Sequence, residues 1–178
     1  SNTTFTTNSN ALTLSGSTLL DIAGTQNLSG VVPDSTSILR LTGDSTVNDS
    51  AVLAVYSLEL EDYALTLDDA MAGLSVSQAV SLDAATEQII SGAADLTLNS
   101  GITVSAGMLS SSGGTLAASS LSLGAAGTIN IEGGTLTLPA GATAVSGATF
   151  TTSATTVQLG GNLNLADSWS STTTNLSL

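Results

Sequence analysis

A three-residue motif, in which two apolar residues flank a small or polar residue, recurs along the chain and most constrains its fold. Examples are Leu12-Thr13-Leu14, Leu39-Arg40-Leu41, Leu65-Thr66-Leu67, Leu96-Thr97-Leu98 and Leu136-Thr137-Leu138. Successive side chains of a strand point to opposite faces, so each triplet predicts a short strand with one apolar face. Gly, Asn, Asp and Ser, which favour turns, separate the triplets. The sequence therefore predicts an all-β protein with many short strands.

The spacing of these triplets distinguishes between all-β folds. Between Leu12 and Leu176 we count about 24 apolar centres, roughly seven residues apart. A β-sandwich spaces its turns by about 8–12 residues and fills its core with aromatic side chains, whereas only 3% of these residues are aromatic. Three centres per coil instead give a parallel β-helix (β-solenoid) of about eight rungs, with about 21 residues per rung. We predict this solenoid as a single domain over residues 1–178, with a β-sandwich as the alternative.

Three stretches of the predicted solenoid differ in composition. Residues 1–50 are rich in Thr, Ser and Asn and predict irregular rungs. Residues 51–95 form an acidic middle, and residues 96–178 predict regular rungs rich in Gly, Thr and Leu. Within the middle, Asp83 resembles a helix N-cap and Gly92 a helix end, so a helical turn is one interpretation of residues 83–92. The interpretation that we favour is a corner decoration on one rung.

The composition excludes most functional classes. The chain has no His, no Cys and one basic residue, Arg40, against 14 acidic residues, giving a net charge of −13. It therefore lacks the usual proton shuttle, thiolate and amine nucleophile. Its charge disfavours nucleic acids and anionic membranes, and no apolar run is long enough to span a bilayer. We predict a protein that is not an enzyme, with no cofactor, no metal site, no membrane insertion and no nucleic-acid partner.

Paired carboxylates offer one alternative, glycoside hydrolysis, which requires two carboxyl groups held across a cleft. Asp68-Asp69 is the one tandem pair of aspartates. Neighbouring residues on a strand face opposite ways. An acidic sugar would also meet a strongly negative protein. The sequence thus names no catalytic residue.

Two features of the composition bear on localisation. The first residues lack the charged and apolar regions of a signal peptide, so we interpret the chain as a mature or excised piece. It contains no lysine, while 28 Ser and 27 Thr supply its polar surface together with the carboxylates. These features predict a secreted protein associated with the cell surface.

Two segments resemble bacterial surface proteins. Gly133-Gly134-Thr135-Leu136-Thr137-Leu138 and Gly160-Gly161-Asn162-Leu163-Asn164-Leu165 are similar to the β-strand repeats of autotransporter passengers and filamentous-haemagglutinin-like adhesins. The stretch from Leu65 to Leu82 is similar to repeats in very large bacterial surface proteins. The resemblance implies a right-handed parallel β-helix at the cell surface, with an adhesive, spacer or filament role and without catalytic residues.

The densest acidic patch is Glu59, Glu61, Asp62, Asp68 and Asp69. On a strand that runs through Leu58-Glu59-Leu60-Glu61, both glutamates would face outward and both leucines inward. Adjacent rungs could then share a Ca²⁺ ion bound by these oxygens. The sequence contains no EF-hand loop and no calcium-binding nonapeptide. We therefore predict a solvated acidic face that limits association between sheets, with a Ca²⁺ site as the alternative.

Other residues give weaker predictions. The pairs in Thr4-Phe5-Thr6, Thr135-Leu136-Thr137 and Thr149-Phe150-Thr151 resemble ice-binding threonine arrays, but three scattered pairs do not supply the required register on every rung. Arg40 is expected to pair with a nearby acid such as Asp44, and Trp169 to cap the core of the final rung. Glycosylation sequons at Asn2, Asn27, Asn48 and Asn175 match chance expectation.

Together these patterns predict a structural role. Asn175-Leu176-Ser177-Leu178 is an apolar-alternating strand whose open edge invites another strand. We predict a non-catalytic subunit or segment of an extracellular bacterial filament or adhesin, whose partners are copies of itself or neighbouring rungs of a longer chain. The alternatives are an adhesin module that binds surface glycans and an ice-binding solenoid.

Overall fold

A computed structural model of the protein describes residues 12–14, 16–144, 146–164, 169–172 and 175–177. The first twelve strands are β1 (Leu12–Thr13), β2 (Leu19–Asn27), β3 (Val31–Val32), β4 (Ile38–Asn48), β5 (Val52–Val55), β6 (Ser57–Glu59), β7 (Ala64–Leu67), β8 (Gly73–Val76), β9 (Val80–Leu82), β10 (Gln88–Ile90), β11 (Asp95–Leu98) and β12 (Ile102–Val104). The others are β13 (Met108–Ser111), β14 (Thr115–Ala118), β15 (Leu121–Leu123), β16 (Thr128–Glu132), β17 (Thr135–Leu138), β18 (Ala142–Ala144), β19 (Thr149–Ser153), β20 (Thr156–Leu159), β21 (Leu163–Asn164), β22 (Trp169–Thr172) and β23 (Asn175–Ser177). The described part contains no helix, and thus none with the length and hydropathy of a membrane span.

The strands form three parallel sheets that share one axis. Sheet 1 follows the order β2-β4-β7-β10-β13-β16-β19-β22, sheet 2 the order β5-β8-β11-β14-β17-β20-β23, and sheet 3 the order β9-β12-β15-β18-β21. Two further pairings, β1 with β3 and β4 with β6, are parallel as well. From β7 to β21, consecutive strands of the chain belong to sheets 1, 2 and 3 in turn, so each of these coils contributes one strand to each sheet. The predicted β-solenoid is confirmed, and the β-sandwich alternative is wrong.

The register gives the length of one rung. Ile89 of β10 pairs with Leu65 of β7 in the preceding coil and with Leu109 of β13 in the following coil. Phe150 of β19 pairs in the same way with Trp169 of β22. Register partners therefore recur roughly once every 20 residues, which is the repeat of a solenoid with short rungs. Sheet 1 has eight strands along its path, one for each turn, so the predicted number of rungs and their length are confirmed.

The first turns differ from the later ones because two long strands pass around a corner without a loop. The beginning of β4 pairs with β6, whereas Ser45, Thr46 and Val47 near its end pair with β7. A register shift between Ile22 and Gly24 lets β2 follow the same bend. Glycine allows a strand to bend because it has no Cβ. Each long strand thus replaces two of the short strands that later turns contain.

The core consists of columns of inward-facing aliphatic side chains. Leu53, Leu74, Leu96, Leu116 and Leu136 occupy equivalent positions on successive strands of sheet 2. All five are buried, and the residues that follow them on each strand face outward. Burial of a leucine side chain contributes about 1.5–3 kcal/mol relative to exposure. The alternating triplets therefore define the core, as the sequence predicts.

Aromatic side chains meet at the last strands of sheet 1. Phe150 is fully buried and stacks on Trp169, with ring centroids 6.1 Å apart and planes inclined by 24°. Trp169 packs partly buried against the core, and its Nε1 donates to Oγ1 of Thr152 at 3.0 Å. Among the described residues β22 is the last strand of sheet 1, and Trp169 covers the core there, as expected.

Residues 83–92 form a corner and a strand. A turn at residues 85–86 is followed by β10, so the helical alternative for this segment is wrong. The carboxylate of Glu87 accepts hydrogen bonds from the backbone N–H groups of Asp83 and Ala84, at 2.6 and 3.1 Å. These bonds satisfy the backbone N–H groups at the start of the corner, so they do not need the hydrogen bonds of a helix.

Candidate functional site

The structure divides the predicted acidic patch between two corners. Glu59 ends β6, and Leu58 and Leu60 are buried as predicted. Glu61 does not continue that strand. Glu61 and Asp62 form a turn with φ values of 51° and 71°, and a left-handed backbone conformation ends strand pairing. The prediction that both glutamates share one strand face is therefore wrong.

Asp68 and Asp69 lie at a different corner, between β7 and β8, where they bond to backbone N–H groups. Oδ1 of Asp68 accepts from Ala70 at 2.9 Å, which is a local turn. Oδ1 of Asp69 accepts from Ala93 at 3.0 Å, in the following coil. These two carboxylates hold the backbone in place, and the sequence pattern did not reveal this role.

Three other aspartates join neighbouring coils in the same way. Asp44 accepts from the N–H of Ala64 at 3.0 Å, and Asp95 accepts from that of Thr115 at 2.7 Å. Oδ2 of Asp34 accepts from Gly16 at 2.6 Å. A corner breaks the regular ladder, and a carboxylate there can satisfy an N–H group that the ladder leaves free. These three aspartates and Asp69 thus hold adjacent coils together.

Replacing Asp69 with alanine tests this role. We expect Asp69→Ala to lower the free energy of unfolding by about 1 kcal/mol, because the Ala93 N–H loses a charged acceptor. Asp69→Asn keeps an acceptor oxygen and should lose less than Asp69→Ala. Urea unfolding of the three proteins checks this prediction. Equal losses in both variants would show that the carboxylate acts through its charge alone.

Among the carboxyl groups of the described residues, Asp34 has the clearest shift in pKa. The hydroxyl and backbone N–H of Thr36 both donate to its Oδ1, at 2.7 and 2.8 Å, with further bonds from Gly16 and Ser37. These donors favour the charged form and hold the pKa of Asp34 below its usual value, with the Thr36 hydroxyl as the largest cause.

The lowered pKa of Asp34 predicts a dependence of stability on pH. A carboxyl group whose pKa is lower in the folded state stabilises the fold above its unfolded pKa, about 3.9 for aspartate, and loses that contribution as the pH falls further. Asp34→Asn should therefore show a smaller decrease in Tm between pH 5 and pH 3 than the parent protein. Thermal unfolding across this range measures the difference. Parallel Tm profiles would contradict the prediction.

Arg40 pairs with an acid, as expected, but the example Asp44 is wrong. Nε and Nη2 of Arg40 instead donate to the two carboxylate oxygens of Asp21, at 2.8 and 2.9 Å. Asp21 is the register partner of Arg40 on β2, whereas Asp44 follows the bend of β4 and binds Ala64. The hydrogen bonds to Asp21 raise the pKa of the Arg40 guanidinium. The partner of Arg40 is therefore its register neighbour in the adjacent coil, and not the acid that lies nearer in the sequence.

Glu59 is the register partner of Arg40 on the other side, so Asp21, Arg40 and Glu59 form a column of alternating charge. Arg40→Glu would place three carboxylates in a row at a strand spacing of about 4.8 Å. We expect this variant to have a lower Tm than the parent, and Arg40→Gln to lose less. Salt should narrow the difference because these charges are partly exposed. A salt-independent loss would contradict this explanation.

A cleft separates β6 from β9 and brings together acids from two coils. The cleft has a volume of about 430 Å³. Its lining includes Glu59, Glu61 and Asp62 from one coil, and Asp83 and Glu87 from the next. Sequence analysis missed Asp83 and Glu87 as neighbours of the patch. They lie about one rung later in the chain than the patch, and this spacing could have identified them as its neighbours in a solenoid. No three acidic side chains in the described ranges form a group suited to holding a metal ion.

The threonine pairs do not line up. Thr135 and Thr137 flank buried Leu136 on sheet 2, whereas Thr149 and Thr151 flank buried Phe150 on sheet 1. The pair around Phe5 lies outside the described residues. The two described pairs therefore face different directions, so they do not form a common array.

Two of the glycosylation sequons are neighbours across coils. Asn27 and Asn48 are register partners on β2 and β4, and Oδ1 of Asn27 accepts from the N–H of Ser29 at 2.9 Å. Asn175 lies exposed on β23, and Asn2 lies outside the described residues.

No protein-family model, curated protein or solved structure matches the chain.

Proposed function

We propose that this chain is a non-catalytic structural module, a β-solenoid subunit or segment of an extracellular bacterial filament or adhesin. Its mechanism is mechanical. Parallel ladders run along the axis, and stacked aliphatic side chains give a continuous core. The surface of hydroxyl and carboxylate groups, without lysine, fits an exported protein. The resemblance of its Gly/Thr/Leu segments to bacterial surface repeats supports the same role.

One observation carries the proposal. Leu176 of β23 extends the aliphatic column of sheet 2 beyond Val157, its register partner. Val157 is buried, whereas Leu176 is 49% exposed. Within the described part of the chain, β23 pairs only with β20. A further strand, from another copy or from a longer chain, would bury Leu176 and continue the ladder.

Electron microscopy and light scattering test the proposal. We expect the protein at micromolar concentration to form rods longer than the roughly 40 Å of eight stacked strands. Leu176→Arg should shorten these rods by placing a charge in the apolar column. Asn175→Arg is the matched control, because Asn175 pairs with outward-facing Thr156 and the change adds the same charge. A monomer at all concentrations, or equal loss in both variants, would contradict association by strand stacking.

A further inference from the structure

The cleft between β6 and β9, called here the β6–β9 cleft, interrupts the ladder within the solenoid. Sheet 3 runs through β12 and ends at β9, while β6 in the preceding coil pairs with β4. No register pairs join β6 to β9 in the described structure, although hydrogen bonds from Ser77 to Val55 and from Gln78 to Tyr56 still join the two coils just before the cleft. The ladder between the two coils is therefore interrupted at β6, although β6 and β9 remain near each other, and their edges face each other across the cleft.

The hydrogen bonds of β9 show which backbone groups face the cleft. The N–H of Val80 donates to Gly101 at 3.2 Å, and the C=O of Leu82 accepts from Ser105 at 2.8 Å, both in the following coil. Backbone groups of successive strand residues point to opposite sides. The N–H and C=O of Ser81 therefore point toward β6, where the ladder is interrupted. An edge of this kind is a template for an added segment of backbone.

The charge of the cleft identifies what could occupy it. Glu61, Asp62 and Asp83 are exposed around it, and Glu59 is half-buried. Glu87 is 7% exposed and binds the corner backbone, so it forms part of the wall. Basic side chains complement such a surface and would steer a partner toward it. A second copy cannot supply them, because the chain has one basic residue and Arg40 already binds Asp21.

We propose that the β6–β9 cleft docks an extended basic segment of another protein. Lysine or arginine side chains of that segment contact Glu59, Glu61 and Asp83, and its backbone pairs with the exposed edge at Ser81. This interaction surface does not depend on self-association. It gives a structural module a specific attachment point for a basic partner, within the most acidic part of the solenoid.

A synthetic peptide of alternating lysine and threonine is the probe, with a peptide of alternating glutamate and threonine as its counterpart. We expect that, at about 0.15 M salt, fluorescence anisotropy will show binding of the basic peptide and no binding of the acidic peptide. Glu61→Gln combined with Asp83→Asn should weaken binding about tenfold. The matched control combines Asp68→Asn with Glu132→Gln, which removes the same charge elsewhere and keeps the acceptors used by Ala70 and Asn130. This control should change binding less than about twofold.

Amide hydrogen exchange locates the bound peptide, since the N–H of Ser81 should exchange more slowly in the complex. Absence of binding, or equal weakening in the two double variants, would overturn the proposal, because attraction would then follow net charge alone. Unchanged exchange at Ser81 would also overturn it. Titration with Ca²⁺ alone provides a further check. If Ca²⁺ binds in the cleft and the peptide does not, the cleft is a cation site and the proposal is wrong.

Discussion

Leu96→Ala is expected to lower the free energy of unfolding by about 3 kcal/mol. Leu96 is fully buried between Leu74 and Leu116, its register partners in the preceding and following coils. Truncation removes buried methyl groups and leaves a cavity inside a column that the neighbouring coils hold at a fixed spacing. Urea unfolding monitored by circular dichroism measures the loss.

Thr97→Ala is the matched control for this experiment. Thr97 follows Leu96 on β11 but faces outward. The change truncates a side chain on the same strand without opening a cavity in the core. We therefore expect it to lower the free energy of unfolding by less than about 1 kcal/mol. Similar losses at the two positions would contradict the inward and outward assignment of sheet 2.

Gly134→Ala is expected to cost about 3 kcal/mol or more, for two combined reasons. Gly134 has a φ of 69°, which L-residues with a side chain rarely adopt. A Cβ at this position would also overlap the backbone carbonyl oxygens of Gly114 and Gly113 in the preceding coil. Backbone atoms of a stacked coil cannot move aside without disturbing the ladder. Thermal and urea unfolding measure the effect.

Gly133→Ala separates the two causes. Gly133 has a similar φ of 78°, but the nearest atom to an added Cβ is the carbonyl oxygen of Ser112, at 3.5 Å. This variant should therefore show the conformational cost alone, about 1–2 kcal/mol. If both variants lose equal stability, close stacking of the corners contributes nothing at Gly134.

The sequence predicts much of the fold because the core is one-dimensional. In Leu136-Thr137-Leu138, alternation alone assigns two side chains to the core and one to the surface, and the structure agrees. The spacing of about seven residues gives three strands per coil. Every coil must bury its apolar residues against the coils on either side, so local pattern and global fold coincide.

Contacts between coils were harder to predict because they depend on register, and the length of a rung is not constant. The step from Phe150 to its partner Trp169 is shorter than the step from Leu65 to its partner Ile89. A small error in the assumed length changes every neighbour across coils. The position of Asp83 near the acidic patch was missed for this reason. The incorrect partner for Arg40 came instead from sequence proximity, because Asp44 is close in the chain and Asp21 is one rung away.

The loss of pairing between β6 and β9 was also absent from the sequence pattern. Leu58-Glu59-Leu60 and Val80-Ser81-Leu82 are as regular as any other triplets. They nevertheless do not pair with each other, since β6 pairs with β4 and β9 pairs with β12. Local alternation specifies that a strand forms, whereas its pairing depends on the corners on either side.

Disulfide formation between engineered cysteines tests the stacking of coils most directly, because the chain has no native cysteine. Thr97 and Ala117 are register partners on adjacent strands of sheet 2. Their Cα separation should be near the strand spacing of about 4.8 Å, within the range that a disulfide spans. Thr97→Cys with Ala117→Cys should therefore form an intramolecular disulfide under mild oxidation. Thr97→Cys with Thr103→Cys, closer in sequence but on different sheets, should not. The opposite result would contradict a solenoid of parallel coils.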